Sequence, residues 1–545
     1  MKDAEFYPIF NIGHQCSRAH CNAGLGAGNA FTFIDHNFQK QRFTFNQLEA
    51  NSNRFANALS DLGFGEKDIV VSFLPKCPET FFSFIGILKI NAIAGSLFSN
   101  FGEQALIDRL GDSGAKAVIT KKSLYKKIVR IREKLPSLKY IFITDIDKHI
   151  DETVLSYRQL VNNASDVFVV PETAPDCPSV LHYTSGSTGK PKGVQHLHRA
   201  LNTIRESAKE ILQLTSDDIY WCTADQGWVT GTSYGIIGPW SLGVSQIHFG
   251  GTYDAAAWMQ LLQDESVTVW YTAPTALRML MIEDEELFKK YDLSKLKHIF
   301  SVGEPLNPEI NLWAQKVLGK EIYDTWFQTE TGSIMIANRP GQTIIPGSMG
   351  KPWGDINAAI CDDEGNELPV RKAGNLCLRL GWDSMFAMYL NNKEVYENKF
   401  RNGFYYSGDL AYKDEKGYFY FMSRNDDIIN TAGHLISPFE IESALLAMDE
   451  VAESAVIGVP DELLWEKIIA FVNIKKQFIW NEDIELKIRI YLSNKLSTIA
   501  TPKEIIPIDV IPKNRSGKIL RRVLKAKYLG EDAGDVSTMD DQNSI

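Results

Sequence analysis

Three glycines, four Ser/Thr hydroxyls and two lysines fall within the eleven residues Tyr183-Thr184-Ser185-Gly186-Ser187-Thr188-Gly189-Lys190-Pro191-Lys192-Gly193. Glycine allows tight turns that aim several backbone N–H groups at one point. Hydroxyls and lysines add donors and positive charge, so the stretch describes a cradle for phosphate oxygens. It is not a Walker A loop, because no glycine stands five places before a Gly-Lys-Ser/Thr triplet. Pro191 also removes an N–H where such a loop would open its helix. A plain Ser/Gly linker accounts for the composition but not for lysines at two fixed places.

This undecapeptide, followed by Val194, closely resembles the signature of the AMP-forming acyl-adenylating superfamily, which includes acyl-CoA synthetases, peptide-synthetase adenylation domains and firefly-type luciferases. The resemblance implies phosphate binding by Ser185, Gly186, Ser187, Gly189 and Lys190, with Thr188 and Lys192 taking catalytic parts. Further motifs follow in the superfamily's order over roughly residues 30–530. Gly227-Trp228-Val229-Thr230-Gly231 is similar to the acetyl-CoA synthetase version of the acyl-pocket segment, placing Trp228 beside the pocket and Val229 and Thr230 on its wall. Gly303-Glu304-Pro305 resembles the adenine-contacting turn, with Val302 facing the acyl group. In Tyr323-Asp324-Thr325-Trp326-Phe327-Gln328-Thr329-Glu330-Thr331-Gly332, the stretch Asp324, Thr325, Trp326 to Gln328 runs along the adenine. Thr329 donates to the α-phosphate there, and Glu330 is the carboxylate for Mg²⁺, a hard cation that takes oxygen ligands. A carboxylate that accepts two hydroxyl hydrogen bonds can read a ribose, the part implied for Asp409 in Tyr406-Ser407-Gly408-Asp409 and shared by Arg424. Asp426 matches the hinge, Gly433 the point where the pantetheine arm of coenzyme A passes the backbone, and Lys518 in Pro512-Lys513-Asn514-Arg515-Ser516-Gly517-Lys518 the C-terminal catalytic lysine.

Two positions depart from the pattern. Acetate-specific members carry tryptophan where Phe327 stands, and members for longer acids carry glycine, so Phe327 implies a short pocket. Related coenzyme A synthetases have a phosphate-contacting arginine where Leu435 stands, and leucine cannot make that contact. The expected activity is a short-chain acyl-CoA synthetase using ATP, Mg²⁺ and coenzyme A, with acetate favoured. Propionate or butyrate, or a carrier-protein-loading adenylation enzyme, are the alternatives.

The elements that must position these groups follow from length and pattern. A chain of 545 residues exceeds one hydrophobic core. Residues 1–425 are assigned to an N-terminal ATP- and acyl-binding domain, 426–530 to a mobile C-terminal domain carrying the lysine, and 531–545 to a polar, disordered tail. Leu48, Phe55, Leu59 and Leu62 recur at helical spacing over residues 43–62. Strands are predicted over Ile69–Leu74 and Ala117–Thr120, with helices between, so the large domain is α/β with parallel and mixed sheets and crossover helices. The C-terminal part reads as a smaller α+β unit: helices from Pro438 to Met448 and Ile484 to Leu496, strands from Ala455 to Val459 and Ile468 to Ile474. Residues 121–175 carry no reading.

Composition excludes some functions. Apolar content is 44% and charged content 23%, ordinary for a globular enzyme. Lys plus Arg is 57 against 68 Asp plus Glu, a net −11 that argues against nucleic acid or an anionic membrane as main partner. Seven scattered cysteines do not form a disulfide framework, and His14, Cys16, His20 and Cys21 match no zinc-site spacing. Phe81 to Gly95 is interrupted by Lys89 and Asn91 and is too short to span a bilayer. A cytoplasmic protein is expected; oligomeric state is not legible.

Overall fold

A computed structural model describes residues 10–185, 191–514, 518–534, 536 and 539, and of Ser185 only the backbone. The predicted helix over 43–62 runs Phe45–Asp61, started by a capping box in which Thr44 accepts from the Gln47 N–H and Gln47 reaches back to Thr44. The strand Ile69–Phe73 stops before Pro75, and Ala117–Thr120 lies beside it in parallel register. One of the helices expected between them runs Glu103–Ser113 and ends at Gly114, in the left-handed conformation suited to a helix C-terminus.

Such alternation builds two large sheets. One has eight strands, six of them parallel; at one side lies the antiparallel hairpin Pro178–Ser185 and Pro191–Leu197, which flanks the glycine-rich loop, with Met388–Tyr389 as the edge strand. The other has nine strands, six of them parallel, among them Val269–Thr272, His298–Val302 and Ile322–Trp326. Helices Phe45–Asp61 and Pro78–Lys89 lie in the apolar core of the N-terminal part. Phe81 to Gly95 supplies most of the second helix and part of strand Ile93–Leu97. Lys89, the charge interrupting that run, is buried against Glu49 at 2.6 Å, with Ser52 and Asn53 accepting its remaining protons. That full set of partners is what lets a lysine stay in the core. Among the described residues no helix is long and apolar enough to cross a membrane.

An antiparallel sheet of Ala358–Cys361, Gly374–Arg379, Phe404–Lys413 and Phe419–Arg424, with Phe400–Arg401 at its edge, brings the chain to Arg424. A smaller five-stranded sheet follows, containing Val451–Asp461 and Trp465–Ile474 and backed by helices Pro438–Leu446 and Glu482–Lys495. All four elements were legible in the sequence, although both strands are longer than their apolar centres. The molecule is therefore a large α/β domain with a smaller C-terminal domain. Most of the expected tail lies outside the described residues. His14, Cys16, His20 and Cys21 serve packing: Cys16 is buried and donates to the Ile237 carbonyl, and His20 donates to that of Trp240.

Candidate active site

The carboxyl ends of parallel strands, where open α/β sheets bind ligands, meet the small domain in a cleft of about 180 Å³. Strand His298–Val302 delivers Gly303, Glu304 and Pro305 to its wall, and strand Ile322–Trp326 delivers Asp324, Thr325 and Trp326, followed by Phe327 and Gln328. Asp409 and Arg424 enter from the antiparallel sheet, and Lys518 from the small domain. Eleven residues singled out from the sequence thus share one cavity.

Gly303 has φ +91, so the turn after its strand is open to glycine and strained for other residues. Glu304 accepts from Arg278 at 2.5 Å and from Thr275 at 2.9 Å, which fixes the turn. Asp324 is buried and accepts from Ser301 at 2.6 Å; burial lifts its carboxyl from 3.8 to about 7. Thr325 is held between the Ser301 carbonyl and the Tyr271 hydroxyl.

Asp409 is the most heavily engaged group. Its Oδ2 accepts from Trp326 Nε1 at 2.9 Å and from Gln328 Nε2 at 3.1 Å. Its Oδ1 lies 3.2 Å from Arg424 Nε but accepts no hydrogen bond among the described residues. That oxygen has capacity for a hydroxyl. The Asp409 charge in turn holds the Arg424 guanidinium above its ordinary pKa.

The phosphate side lies beyond. Lys192, on the second strand of the hairpin, places its ammonium 5.6 Å from the centre of the Tyr389 ring. Tyr389 donates to Glu330 Oε1 at 2.7 Å, and the Thr329 carbonyl accepts from His196 at 2.8 Å. Burial pushes His196 down to about 4, so the neutral ring donates through Nε2. Gly186, Ser187, Thr188, Gly189 and Lys190 lie outside the described residues. Lys518 is open to solvent at the cleft mouth but crowded by protein elsewhere; that crowding, then the Arg424 charge, lowers its pKa.

Six residues assigned from the sequence are not part of the cleft wall: Trp228, Val229, Thr230, Val302, Asp426 and Gly433. Trp228 packs on Phe98 at 5.0 Å, its N–H buried without a partner among the described residues. Val229 and Thr230 begin the short helix Val229–Thr232, and Val229 borders a small separate cavity with Gly332. Gly231 has no alternative there, since an added Cβ would meet the Asp225 carbonyl at 2.0 Å. Val302 shares an aromatic cluster with Phe327 and Tyr234. Asp426 is exposed in the turn after Arg424, and Gly433, φ +81, turns the hairpin Ile429–Thr431 to His434–Ile436, with Leu435 60% exposed.

This geometry agrees with what the chain is similar to. The profile described as AMP-binding enzyme matches residues 25–390, and the AMP-binding enzyme C-terminal domain matches 440–518. The chain belongs to the AMP-binding enzyme family. It is 45% identical to the acetyl-coenzyme A synthetase of Bacillus subtilis (strain 168) over 503 residues, 92% of this chain and 88% of that protein. It is 34% identical to that of Methanothrix thermoacetophila over 98% of this chain and 85% of that one. Among solved structures, the anthranilate CoA ligase AuaEII in complex with anthranoyl-AMP superposes with TM-score 0.88 at 28% identity, covering 97% of this chain and 99% of that one. An acyl-CoA synthetase of Brucella canis gives 0.75 at 30%, covering 95% and 94%.

Sequence reasoning missed residues that hold this family's motifs in place here. Arg278 bridges Glu304 and, at 3.9 Å, Glu453 of the small domain. Tyr389 and His196 position the Thr329-Glu330 segment, and Tyr405 donates to Gln328 at 2.8 Å. None lies at motif spacing; each was findable only through contacts between distant segments.

Proposed function

We propose that this protein is an AMP-forming short-chain acyl-CoA synthetase with acetate as its main acid. The observation that carries the reading is the meeting of Lys518, from the C-terminal domain, with Asp324–Gln328 and Asp409 in one cleft. The acetyl-coenzyme A synthetases among its relatives support the choice of acid.

In the first half-reaction a carboxylate oxygen attacks the α-phosphorus of ATP, and the bond to pyrophosphate breaks. Two anions must approach, so the site has to offset their repulsion. Lys518 and Lys192 supply positive charge, Asp409 and Arg424 orient the ribose, and Gly303, Glu304 and Pro305 border the adenine. Glu330 fits a magnesium ion: Tyr389 occupies one of its oxygens, and the other has no protein donor among the described residues. One carboxylate completed by substrate phosphates is the usual protein share of a Mg²⁺ site. The ion would neutralise developing charge on the phosphates.

Acyl adenylates hydrolyse, so water must be kept out until the thiol arrives. Rotation of the small domain about Asp426, with 1–425 held as one body and 426–530 as the other, withdraws Lys518 and brings Gly433 toward the acyl group. The coenzyme A thiol then gives its proton to solvent, the thiolate attacks the acyl carbonyl, and the bond to AMP breaks as AMP leaves. Seven free cysteines fit a reducing, cytoplasmic location.

The test incubates purified protein with ATP, magnesium, coenzyme A and acetate, propionate or butyrate. AMP release that requires both acid and coenzyme A, fastest with acetate, is the expected result. Adenylate formation with no transfer to coenzyme A would reject the synthetase reading in favour of carrier loading.

A further inference from the structure

Lys399 stands among the charged groups of the site, yet no motif includes it. It precedes strand Phe400–Arg401 and lies on the large-domain side of Arg424. Its ammonium makes one hydrogen bond among the described residues, to the Tyr406 carbonyl at a long 3.4 Å, and no ion pair. The Tyr405 ring centre lies 5.8 Å away. A Cβ placed on Gly408 would stand 3.7 Å from Lys399 Nζ and 3.8 Å from Arg424 Nη2, so the two cations flank the same turn. The charges facing Lys399 are Glu330, Arg424, Asp409 and Lys192.

The two carboxylates are already engaged. Glu330 receives the Tyr389 hydroxyl, and Asp409 accepts from Trp326 and Gln328 and is ion-paired with Arg424. A shielded lysine left with one long bond to a carbonyl is costly unless an anion completes its shell. Both Asp409, assigned to the ribose, and Glu330, assigned to the metal, act on Lys399, and in the proposed pose the α-phosphate is the group that links ribose to metal. We infer that Lys399 is a stationary counter-charge for the α-phosphate of the bound nucleotide in both half-reactions. Unlike Lys518 it stays in place when the small domain rotates. The inference rests on the nucleotide-binding reading of the cleft.

The experiment compares AMP with adenosine, whose difference isolates the phosphate. Binding of each is measured by calorimetry on the full chain, on Lys399→Met and on Lys399→Arg. In the wild type AMP binds more tightly than adenosine. In Lys399→Met that advantage shrinks about 10-fold or more, the usual worth of a charge-assisted hydrogen bond, while adenosine binding is unchanged. Lys399→Arg retains most of the advantage. Thioester formation from supplied acyl-AMP slows in Lys399→Met as well. Should that variant not fold, Lys399→Gln reads the same ratio. An unchanged AMP-to-adenosine ratio overturns the inference. So does an equal loss for both ligands, the mark of a purely structural role. If the wild type binds neither adenosine nor AMP, the nucleotide reading itself fails, and that result is distinct from the others.

Discussion

Under the proposed function Phe327 would set the depth of the acyl pocket, and its removal has a magnitude that follows from what stands behind it. Its ring meets that of Tyr234 edge-on at 5.4 Å. Tyr234 is fixed: its hydroxyl accepts the Ile334 N–H at 2.8 Å and lies 2.6 Å from Ser207 Oγ. Phe327→Gly therefore opens space as far as Tyr234 and stops there. Each methylene of a longer acid that fills the space gains about 0.8 kcal/mol, close to fourfold in kcat/KM. Butyrate, two methylenes longer than acetate, should improve about 16-fold relative to acetate. Loss of a core phenylalanine costs about 3–5 kcal/mol; Phe327 is only half-buried, so the stability loss should lie at or below the lower end. The assay is coenzyme A-dependent AMP release with straight-chain acids of increasing length, run beside thermal melts. The optimum should move to four carbons or beyond, with aromatic acids still excluded by Tyr234. Chain-length profiles that superimpose for wild type and variant would remove Phe327 from the pocket.

Three further outcomes are expected. Lys518→Ala should slow adenylation about 100- to 1000-fold, the scale of losing one preorganised charge stabiliser, while thioester formation from supplied acyl-AMP is kept; equal loss in both contradicts domain rotation. Asp324 binds its proton more tightly in the fold than in the unfolded chain, its carboxyl being raised from 3.8 to about 7. Its contribution to stability therefore falls as pH rises from about 4 to about 7 and is flat above; melting curves across that window should slope less in Asp324→Asn. Glu453→Gln removes the carboxylate that draws the small domain toward Arg278. It should slow adenylation about fivefold, the worth of about 1 kcal/mol, without weakening ATP binding, as half-reaction rates and a nucleotide titration would report.

Much of this was legible because the chemistry is local in sequence. Gly303-Glu304-Pro305 follows one strand directly and Asp324–Gln328 spans the end of its neighbour, so strand order carries both to one wall. The helix over Phe45–Asp61 announced itself by its period and by Thr44 and Gln47 at its start. What escaped depends on tertiary contact. Lys89 interrupts an apolar run and is buried all the same, because Glu49, forty residues earlier, meets it. Tyr389 and Glu330 are 59 residues apart, and Arg278 reaches Glu453 across the domain interface. No period or motif encodes such pairs. Trp228 was expected beside the pocket; in the structure it packs on Phe98, which comes from another part of the large domain.

The charge arrangement explains how an acidic chain can hold a polyanion. With a net −11 the protein as a whole repels nucleotides, so attraction has to be local. Under the proposed function Lys192, Lys399, Arg424 and Lys518 would supply it by concentrating positive charge at one site. Left alone, such a cluster would destabilise the empty fold. Asp409 balances Arg424 at 3.2 Å, and Glu330 and Asp427 place further negative charge around the same cations. The balance is incomplete by design of position: Lys399 and Lys518 make no ion pair among the described residues, one on each domain. An incoming α-phosphate would complete both shells at once and draw the small domain onto the large one. Once adenylation has replaced ATP by a less charged acyl-AMP and pyrophosphate has gone, that pull weakens, and Lys518 is the partner free to leave because it sits beyond the turn at Asp426. The same electrostatics that assemble the first half-reaction would thus release the domain for the second.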